Sequence, residues 1–247
     1  MKNKIKYISI GIILIIVVVF SLLIIKSLSE EKEINVENYT QVYMYNLGNS
    51  NVEIIKKNDT VILVNTGSSG DLEDLIDELN KLEIYEIDYL ILTNKDDEYI
   101  GNVVYLLDNY LVDYIYMNDY EYSSILMDKV NSSLVSSYTE NIILTSNEII
   151  TLDDLIINIY PYMEEDFSME DKTLVIEMIE GGNSIYLTGK VSSKRLDFIK
   201  KSTLLVSENS DLFEVKSKYY VLDGKNDKKS LKRDLKIYFD KKEFIIK

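Results

Sequence analysis

An uncharged apolar run near the N-terminus, residues 8–25, constrains this chain more than any other feature of its sequence. A helix rises 1.5 Å per residue, so about 18 to 20 such residues cross the hydrocarbon core of a bilayer. Lysines precede the run and glutamates follow it (Lys2, Lys4 and Lys6; Glu30, Glu31 and Glu33). The positive-inside rule then predicts a cytoplasmic N-terminus at 1–7, a transmembrane signal anchor at 8–26, and the rest of the chain outside the cell membrane.

A cleaved signal peptide, followed by secretion, is the alternative to the anchor. Ser27 and Ser29 form a weak small-x-small cleavage site. The apolar run is longer than the usual core of a signal peptide and no Ala-x-Ala follows it, so the anchor is favoured. We expect a short polar stalk at 27–40 and then a single domain at 41–247, since no repeat or linker divides the remainder.

The composition removes several chemistries, because the 247 residues include no cysteine and no histidine. Disulfides, thiolate sites and cysteine nucleophiles are excluded. The commonest zinc ligand and the usual general base near neutral pH are missing too. Any metal site would use carboxylate, amide, hydroxyl or backbone oxygens, which suit calcium or magnesium better than zinc.

The charge of the chain argues against nucleic acid as a partner. The formal net charge is −15, and excluding Lys2, Lys4, Lys6 and Lys26, which flank the apolar run, leaves 23 bases against 42 acids, or −19, for residues 27–247. Such a body repels phosphate backbones and anionic headgroups. The last stretch, 225–247, is basic, and we interpret it as a solvated edge strand or terminus.

Beyond the stalk, short apolar strands alternate with amphipathic helices. Buried strands are predicted at 61–64, 87–92 and 114–117, with helices at 71–82 and 101–108 between them. This order is typical of α/β folds, in which the loops after the strands usually carry the site.

The second half of the chain is predicted to be mostly strands, with one more helix at 191–201. The strands are expected near 142–144, 148–151, 155–160, 173–179, 184–188, 203–206, 219–222 and 235–246. A dense set of tyrosines precedes this half, and we expect them to pack on strands with their hydroxyls in water (Tyr110, Tyr114, Tyr116, Tyr120 and Tyr122).

Three stretches carry a resemblance to a known family. One strand ends Leu-Val-Asn-Thr-Gly at 63–67, another reads Ile-Asp-Tyr-Leu-Ile-Leu-Thr at 87–93, and a later one ends Tyr-Leu-Thr-Gly at 186–189. In this order the sequence resembles the metallo-β-lactamase superfamily, particularly the domain attached to ComEC-type competence proteins. The resemblance covers nearly all of 41–247 and implies an α/β fold, a four-layer αβ/βα sandwich with mixed sheets inside and helices outside.

The loop that binds metal in this family has a different composition here. The family pattern is Thr-His-x-His-x-Asp-His, whereas this chain reads Thr-Asn-Lys-Asp-Asp-Glu-Tyr at 93–99. Asn94, Asp96 and Tyr99 therefore stand at the three histidine positions, and Glu98 stands at the aspartate position.

Three further family positions have changed as well. Asn65 replaces the aspartate of Asp-Thr-Gly, Lys190 replaces the bridging aspartate, and Glu208 aligns best with the start of a later His-His-Gly-Ser motif. We call the seven positions together the vestigial pocket: Asn65, Asn94, Asp96, Glu98, Tyr99, Lys190 and Glu208.

These changes exclude the dinuclear zinc chemistry of the family. Zinc is held by imidazoles and carboxylates that lower the pKa of a bound water, whereas an amide oxygen is a weak ligand and a phenol must first lose a proton. Lys190 adds a cation where a bridging carboxylate belongs, and repulsion between cations is strong in a partly desolvated site. The resemblance therefore implies a pseudoenzyme with no catalytic or metal-binding residue and no zinc cofactor.

Three hypotheses remain for the pocket. The favoured one is a binding or scaffold module with a protein partner. The second is a binding protein or hydrolase that depends on calcium or magnesium, held by Asp96, Asp97, Glu98 and Glu208. The third is a metal-independent enzyme, for which no nucleophile and base stand in a recognisable arrangement. The simplest interpretation of the acidic loop is that it is solvated, or that Lys190 pairs with Asp96 or Glu98.

Overall fold

The computed structural model describes residues 20–21, 36–48, 50–162, 168, 170–199, 201–209, 216–222 and 234–247. The chain divides into two units, Met1–Asn35 and Val36–Lys247. The predicted anchor at 8–26 lies outside the described residues except for Phe20 and Ser21, which are helical. Within the described ranges, no helix is long and apolar enough to cross a membrane.

The second unit contains fourteen described strands and four described α-helices. The strands are β1 (Thr40–Asn46), β2 (Asn51–Lys57), β3 (Thr60–Val64), β4 (Glu86–Leu92), β5 (Leu111–Asn118), β6 (Glu140–Leu144), β7 (Glu148–Leu152), β8 (Leu155–Tyr160), β9 (Val175–Glu180), β10 (Asn183–Leu187), β11 (Ser202–Ser207), β12 (Ser217–Leu222), β13 (Leu235–Phe239) and β14 (Phe244–Ile246). The α-helices are α1 (Leu72–Lys81), α2 (Asp97–Ile100), α3 (Val103–Asn109) and α4 (Ile125–Ser136). Short 3-10 helices are at Val36–Asn38, Ser69–Asp71, Glu170–Lys172 and Ser193–Leu196.

The strands form two mixed sheets. The eight-stranded sheet has the order β14-β13-β1-β2-β3-β4-β5-β6, and the six-stranded sheet has the order β12-β11-β10-β9-β8-β7. Strands β3 to β6 are parallel in the first sheet and β10 to β12 in the second, and the other neighbours are antiparallel. Helices connect β3 to β4, β4 to β5 and β5 to β6, because parallel strands need a long crossover.

Successive side chains along each strand point to opposite faces of the sheet, and this alternation builds two apolar layers. On β3, Ile62 and Val64 pack between the two sheets, whereas Leu63 packs against the helices. The helices α1, α3 and α4 contribute to that second layer through Leu75, Leu106 and other residues of their apolar faces (Leu79, Val103, Met127, Val130 and Leu134). The mixed α/β sandwich with two sheets is therefore present, as predicted.

The outer face of the six-stranded sheet is covered differently. A third apolar cluster includes Tyr186 and Leu205 of the sheet and Val191, Leu196 and Ile199 of the segment that crosses it. In the described part of the chain this covering segment holds a short 3-10 helix instead of an α-helix.

The prediction of an α-helix at 191–201 was therefore wrong, and polar contacts explain the difference. The Asp171 carboxylate accepts a hydrogen bond from the backbone N–H of Ser192 at 2.6 Å. The Arg195 guanidinium donates to the backbone carbonyls of Asp171 and Thr173. Contacts of this kind bind the segment to a neighbouring loop, and they override the apolar periodicity on which the prediction rested.

The remaining helices were predicted incompletely. The helix expected at 101–108 is present as α3, with α2 as a separate short helix before it, and α4 was not predicted. The helix α4 has a weak apolar pattern with three serines, and only the tertiary packing of Met127, Val130 and Leu134 reveals its buried face. Its N-cap is Ser124, whose hydroxyl accepts a hydrogen bond from the N–H of Met127 at 3.0 Å.

A buried ion pair joins the two sheets at the edge opposite the vestigial pocket. Lys57 ends β2 and Glu180 ends β9, and their charged atoms are 2.8 Å apart with side chains 7% and 3% exposed. The hydroxyl of Thr40 donates to the second oxygen of Glu180 at 2.5 Å. Because both charges are desolvated, each depends on its partner for stabilisation.

Candidate functional site

The residues of the vestigial pocket follow the carboxyl ends of parallel strands in both sheets. Asn65 follows β3, the loop 93–99 follows β4, Lys190 follows β10 and Glu208 follows β11. The carboxyl ends of parallel strands meet at one edge of a sheet, so these loops come together. The topology thus makes this edge the candidate site.

Asn65 stabilises the junction between β3 and β4. Its backbone is left-handed, with φ of 63°, a conformation that asparagine tolerates better than most residues. The buried amide oxygen accepts hydrogen bonds from the N–H and the hydroxyl of Thr93, at 2.9 and 2.8 Å. The side chain therefore positions the start of the loop 93–99.

Asn94 is buried, and both the oxygen and the nitrogen of its side-chain amide form hydrogen bonds. The amide oxygen accepts from the Tyr120 hydroxyl at 2.9 Å and from the N–H of Lys95 at 2.7 Å. The amide nitrogen donates to the hydroxyl of Thr173 at 3.0 Å. An oxygen with two donors has no lone pair left for a metal ion.

The acids of the loop have separate partners. Asp96 accepts from the Tyr122 hydroxyl at 2.6 Å, and Asp97 accepts from the Ser69 hydroxyl at 2.5 Å. The hydrogen bond to Asp96 raises the pKa of Tyr122 to about 12. The tyrosines of this region were expected to extend into water, and for Tyr120 and Tyr122 that expectation is wrong because their hydroxyls bind to the loop.

Lys190 forms an ion pair with Glu98, one of its two expected partners, and both side chains are about one-third exposed. The Lys190 ammonium also lies 5.8 Å from the centre of the Tyr99 ring. The buried Tyr99 directs its hydroxyl to Glu208, 3.3 Å away. Burial, followed by the charge of Glu208, raises the pKa of Tyr99 far above the ordinary value of a phenol, so this oxygen stays protonated.

A cavity of about 20 Å³ lies beside these residues, between Asn65 and Glu208. It is lined by Glu53, Val64, Asn65, Thr93, Leu187, Thr188, Gly189, Val206 and Glu208. This volume is enough for about one water molecule. Between these described residues, the space is therefore smaller than a substrate.

The structure brings Asn65, Glu98, Tyr99, Lys190 and Glu208 around this cavity and the adjoining ion pair. Asn94 and Asp96 bond instead to tyrosines that follow β5.

Reasoning from the sequence missed Glu53 and Thr173. Glu53 is a buried acid within the apolar strand β2, and that pattern was the available signal. Thr173 has no signal in the sequence, because its contact with Asn94 joins segments 79 residues apart.

The donor set does not fit the zinc ions that the family resemblance would imply. The amide oxygen of Asn94 is used, the Tyr99 phenol is protonated, and Lys190 brings a cation to the centre. In the described part of the chain, no group of three or more acids is arranged to hold a metal ion.

Two mixed sheets with loops converging at the ends of their parallel strands define an α/β sandwich with a polar site at one edge. Comparison with solved structures identifies this sandwich as the metallo-β-lactamase fold. The fold protein YhfI from Bacillus subtilis is 12% identical with a TM-score of 0.51, over 74% of this chain and 85% of that chain. A B3 metallo-β-lactamase with an active-site glutamic acid is 10% identical with a TM-score of 0.50, over 69% of this chain and 76% of that chain.

At such identities the likeness concerns the fold alone. No family model matches the sequence, and no curated protein matches it either.

Proposed function

We propose that this protein is a pseudoenzyme of the metallo-β-lactamase fold, a membrane-anchored extracytoplasmic binding or scaffold module without zinc hydrolase activity. The observation that carries the proposal is the ion pair between Lys190 and Glu98. An active site of this family needs an uncompensated carboxylate there to bridge two metal ions, whereas this chain supplies an ammonium that neutralises an acid.

The hydrogen bonds of the loop support the same proposal. Asn94, Asp96 and Tyr99 each bind to a neighbouring side chain. Polar side chains that are satisfied within the protein stabilise a fold and leave few groups to bind a substrate. The retained fold is then available for contacts with another protein.

Zinc titration calorimetry and hydrolysis assays on the purified full chain test the loss of zinc binding and of activity. We expect no saturable zinc binding and no turnover of phosphodiester or β-lactam substrates with added zinc. A matched variant with Asn94→His, Asp96→His, Tyr99→His and Lys190→Asp should gain zinc affinity, which shows that the assay can detect a site. Zinc-dependent turnover by the natural chain that Asp96→Ala abolishes would overturn the proposal.

Thermal unfolding with calcium, magnesium or a chelator tests the hard-cation alternative. The proposal expects the same melting temperature in all three conditions, because Asp96, Asp97 and Glu98 have separate partners. A rise with calcium that disappears in Asp97→Asn would favour the cation-dependent protein instead.

The anchor rests on the uncharged run 8–25 and on the lysines before it. Alkaline extraction of membranes should leave the intact chain in the pellet, and protease added outside whole cells should digest its folded domain. A mature protein that begins at or after Ser27 would show cleavage and secretion instead.

Exposed apolar side chains around α4 support a protein partner. Ile125, Val135 and Tyr138 are 78%, 88% and 102% exposed. Cross-linking in native membranes should give a defined larger species, and the combined change Ile125→Ser and Val135→Ser should reduce it. A chain that migrates alone after cross-linking would contradict the scaffold role.

A further inference from the structure

A cleft of about 450 Å³ lies far from the vestigial pocket, at the amino ends of β11 and β12. It is lined by Lys201, Ser202, Lys216, Ser217 and Lys218. Glu208 follows the other end of β11, and a six-residue strand spans about 20 Å. The cleft is therefore separate from the site described above.

The charge of this cleft is opposite to that of the chain. The protein has a net charge of −15, yet the described lining of the cleft holds three lysines and no acid. Other lysines form ion pairs, namely Lys57, Lys81, Lys190 and Lys241. The ion pairs between described residues use none of the three lysines of the cleft.

Hydrogen bonds hold the floor of the cleft in place. The Ser202 hydroxyl donates to the Ser217 hydroxyl at 2.8 Å, and that hydroxyl donates to the carbonyl of Tyr219 at 2.7 Å. The Lys218 ammonium lies 4.9 Å from the centre of the Tyr219 ring. The two serines join the parallel strands, and the three lysines place ammonium donors around them.

We propose that this cleft binds a ligand that bears one or two phosphate groups. A phosphomonoester carries a charge of about −1.5 to −2 near neutral pH and the phosphodiester of a lipid headgroup carries about −1, so one or two phosphate groups can be matched by three ammonium groups. Lysine acts as a point charge toward phosphate, whereas planar carboxylates are better matched by arginine, which the described lining lacks. The volume lies in the range of small-ligand pockets.

The ligand could be a soluble phosphorylated molecule or a phospholipid headgroup, and titration calorimetry on the full chain separates these sources. Inorganic pyrophosphate is the soluble probe. Monomeric dihexanoyl phosphatidylglycerol is the lipid probe, with dihexanoyl phosphatidylcholine as its zwitterionic control. Saturable binding of pyrophosphate indicates the soluble source, and binding of the phosphatidylglycerol alone indicates the headgroup. Both outcomes support the proposal.

The decisive variant combines Lys201→Gln, Lys216→Gln and Lys218→Gln. Its affinity for the bound probe should fall more than about tenfold, because charge-assisted hydrogen bonds are lost. The matched control changes the exposed Lys81, Lys129 and Lys242 to glutamine and should bind as the natural chain does. The absence of saturable binding of either probe would overturn the proposal, as would equal losses in the two variants.

Discussion

Breaking the buried ion pair between Lys57 and Glu180 should strongly lower the free energy of unfolding. In Lys57→Met the carboxylate of Glu180 stays buried, loses its ion pair and keeps the hydrogen bond from Thr40. Removing one partner of such a pair costs about 3–5 kcal/mol, because the other charge loses its compensation. The exposures of 7% and 3% leave little solvent to screen the charge that remains.

Urea unfolding of the full chain, followed by the near-ultraviolet circular dichroism of its tyrosines, measures this cost. The double variant Lys57→Met with Glu180→Gln should recover about 2 kcal/mol, because no charge is then buried and Thr40 keeps an acceptor. The exposed pair of Lys81 with Glu78 is the control, and Lys81→Met should cost about 1 kcal/mol or less. A similar small loss in Lys57→Met, at an unchanged slope with urea, would refute the reasoning.

Two further predictions concern the loops of the candidate site. In Gly101→Ala the new Cβ would lie 2.2 Å from the backbone nitrogen of Ser69, so backbone must move, and the free energy of unfolding should fall by about 1–3 kcal/mol. The control is Gly182→Ala, whose Cβ meets nothing within 4 Å. It should change the free energy of unfolding by less than about 0.5 kcal/mol in the same urea titration. The pKa of Tyr122 is raised from 10.0 to about 12, so its protonated form stabilises the fold below pH 10, and that stability is lost as the pH rises toward 12. Melting temperatures measured across this window should fall less steeply in Tyr122→Phe, and identical profiles would contradict the assignment.

Much of the fold could be predicted from local patterns. The buried strands β3 and β4 and the helix α1 were expected at nearly their observed bounds, because their apolar periodicity is strong. The strands β6 to β12 were also located within a few residues. The helix α4 and the conformation of the segment 191–201 were not predicted correctly, because packing and long-range hydrogen bonds decide them.

The sequence by itself determined which chemistries are possible, because a chain without histidine or cysteine cannot supply imidazole or thiolate ligands from any arrangement. It also identified the positions that changed in the vestigial pocket. Only the tertiary structure decided how those side chains are used: Asn94 and Asp96 bind tyrosines from beyond β5, and Lys190 pairs with Glu98 rather than Asp96. Contacts of this kind join residues far apart in sequence, and no local propensity encodes which partner a polar side chain meets once the sheets have packed.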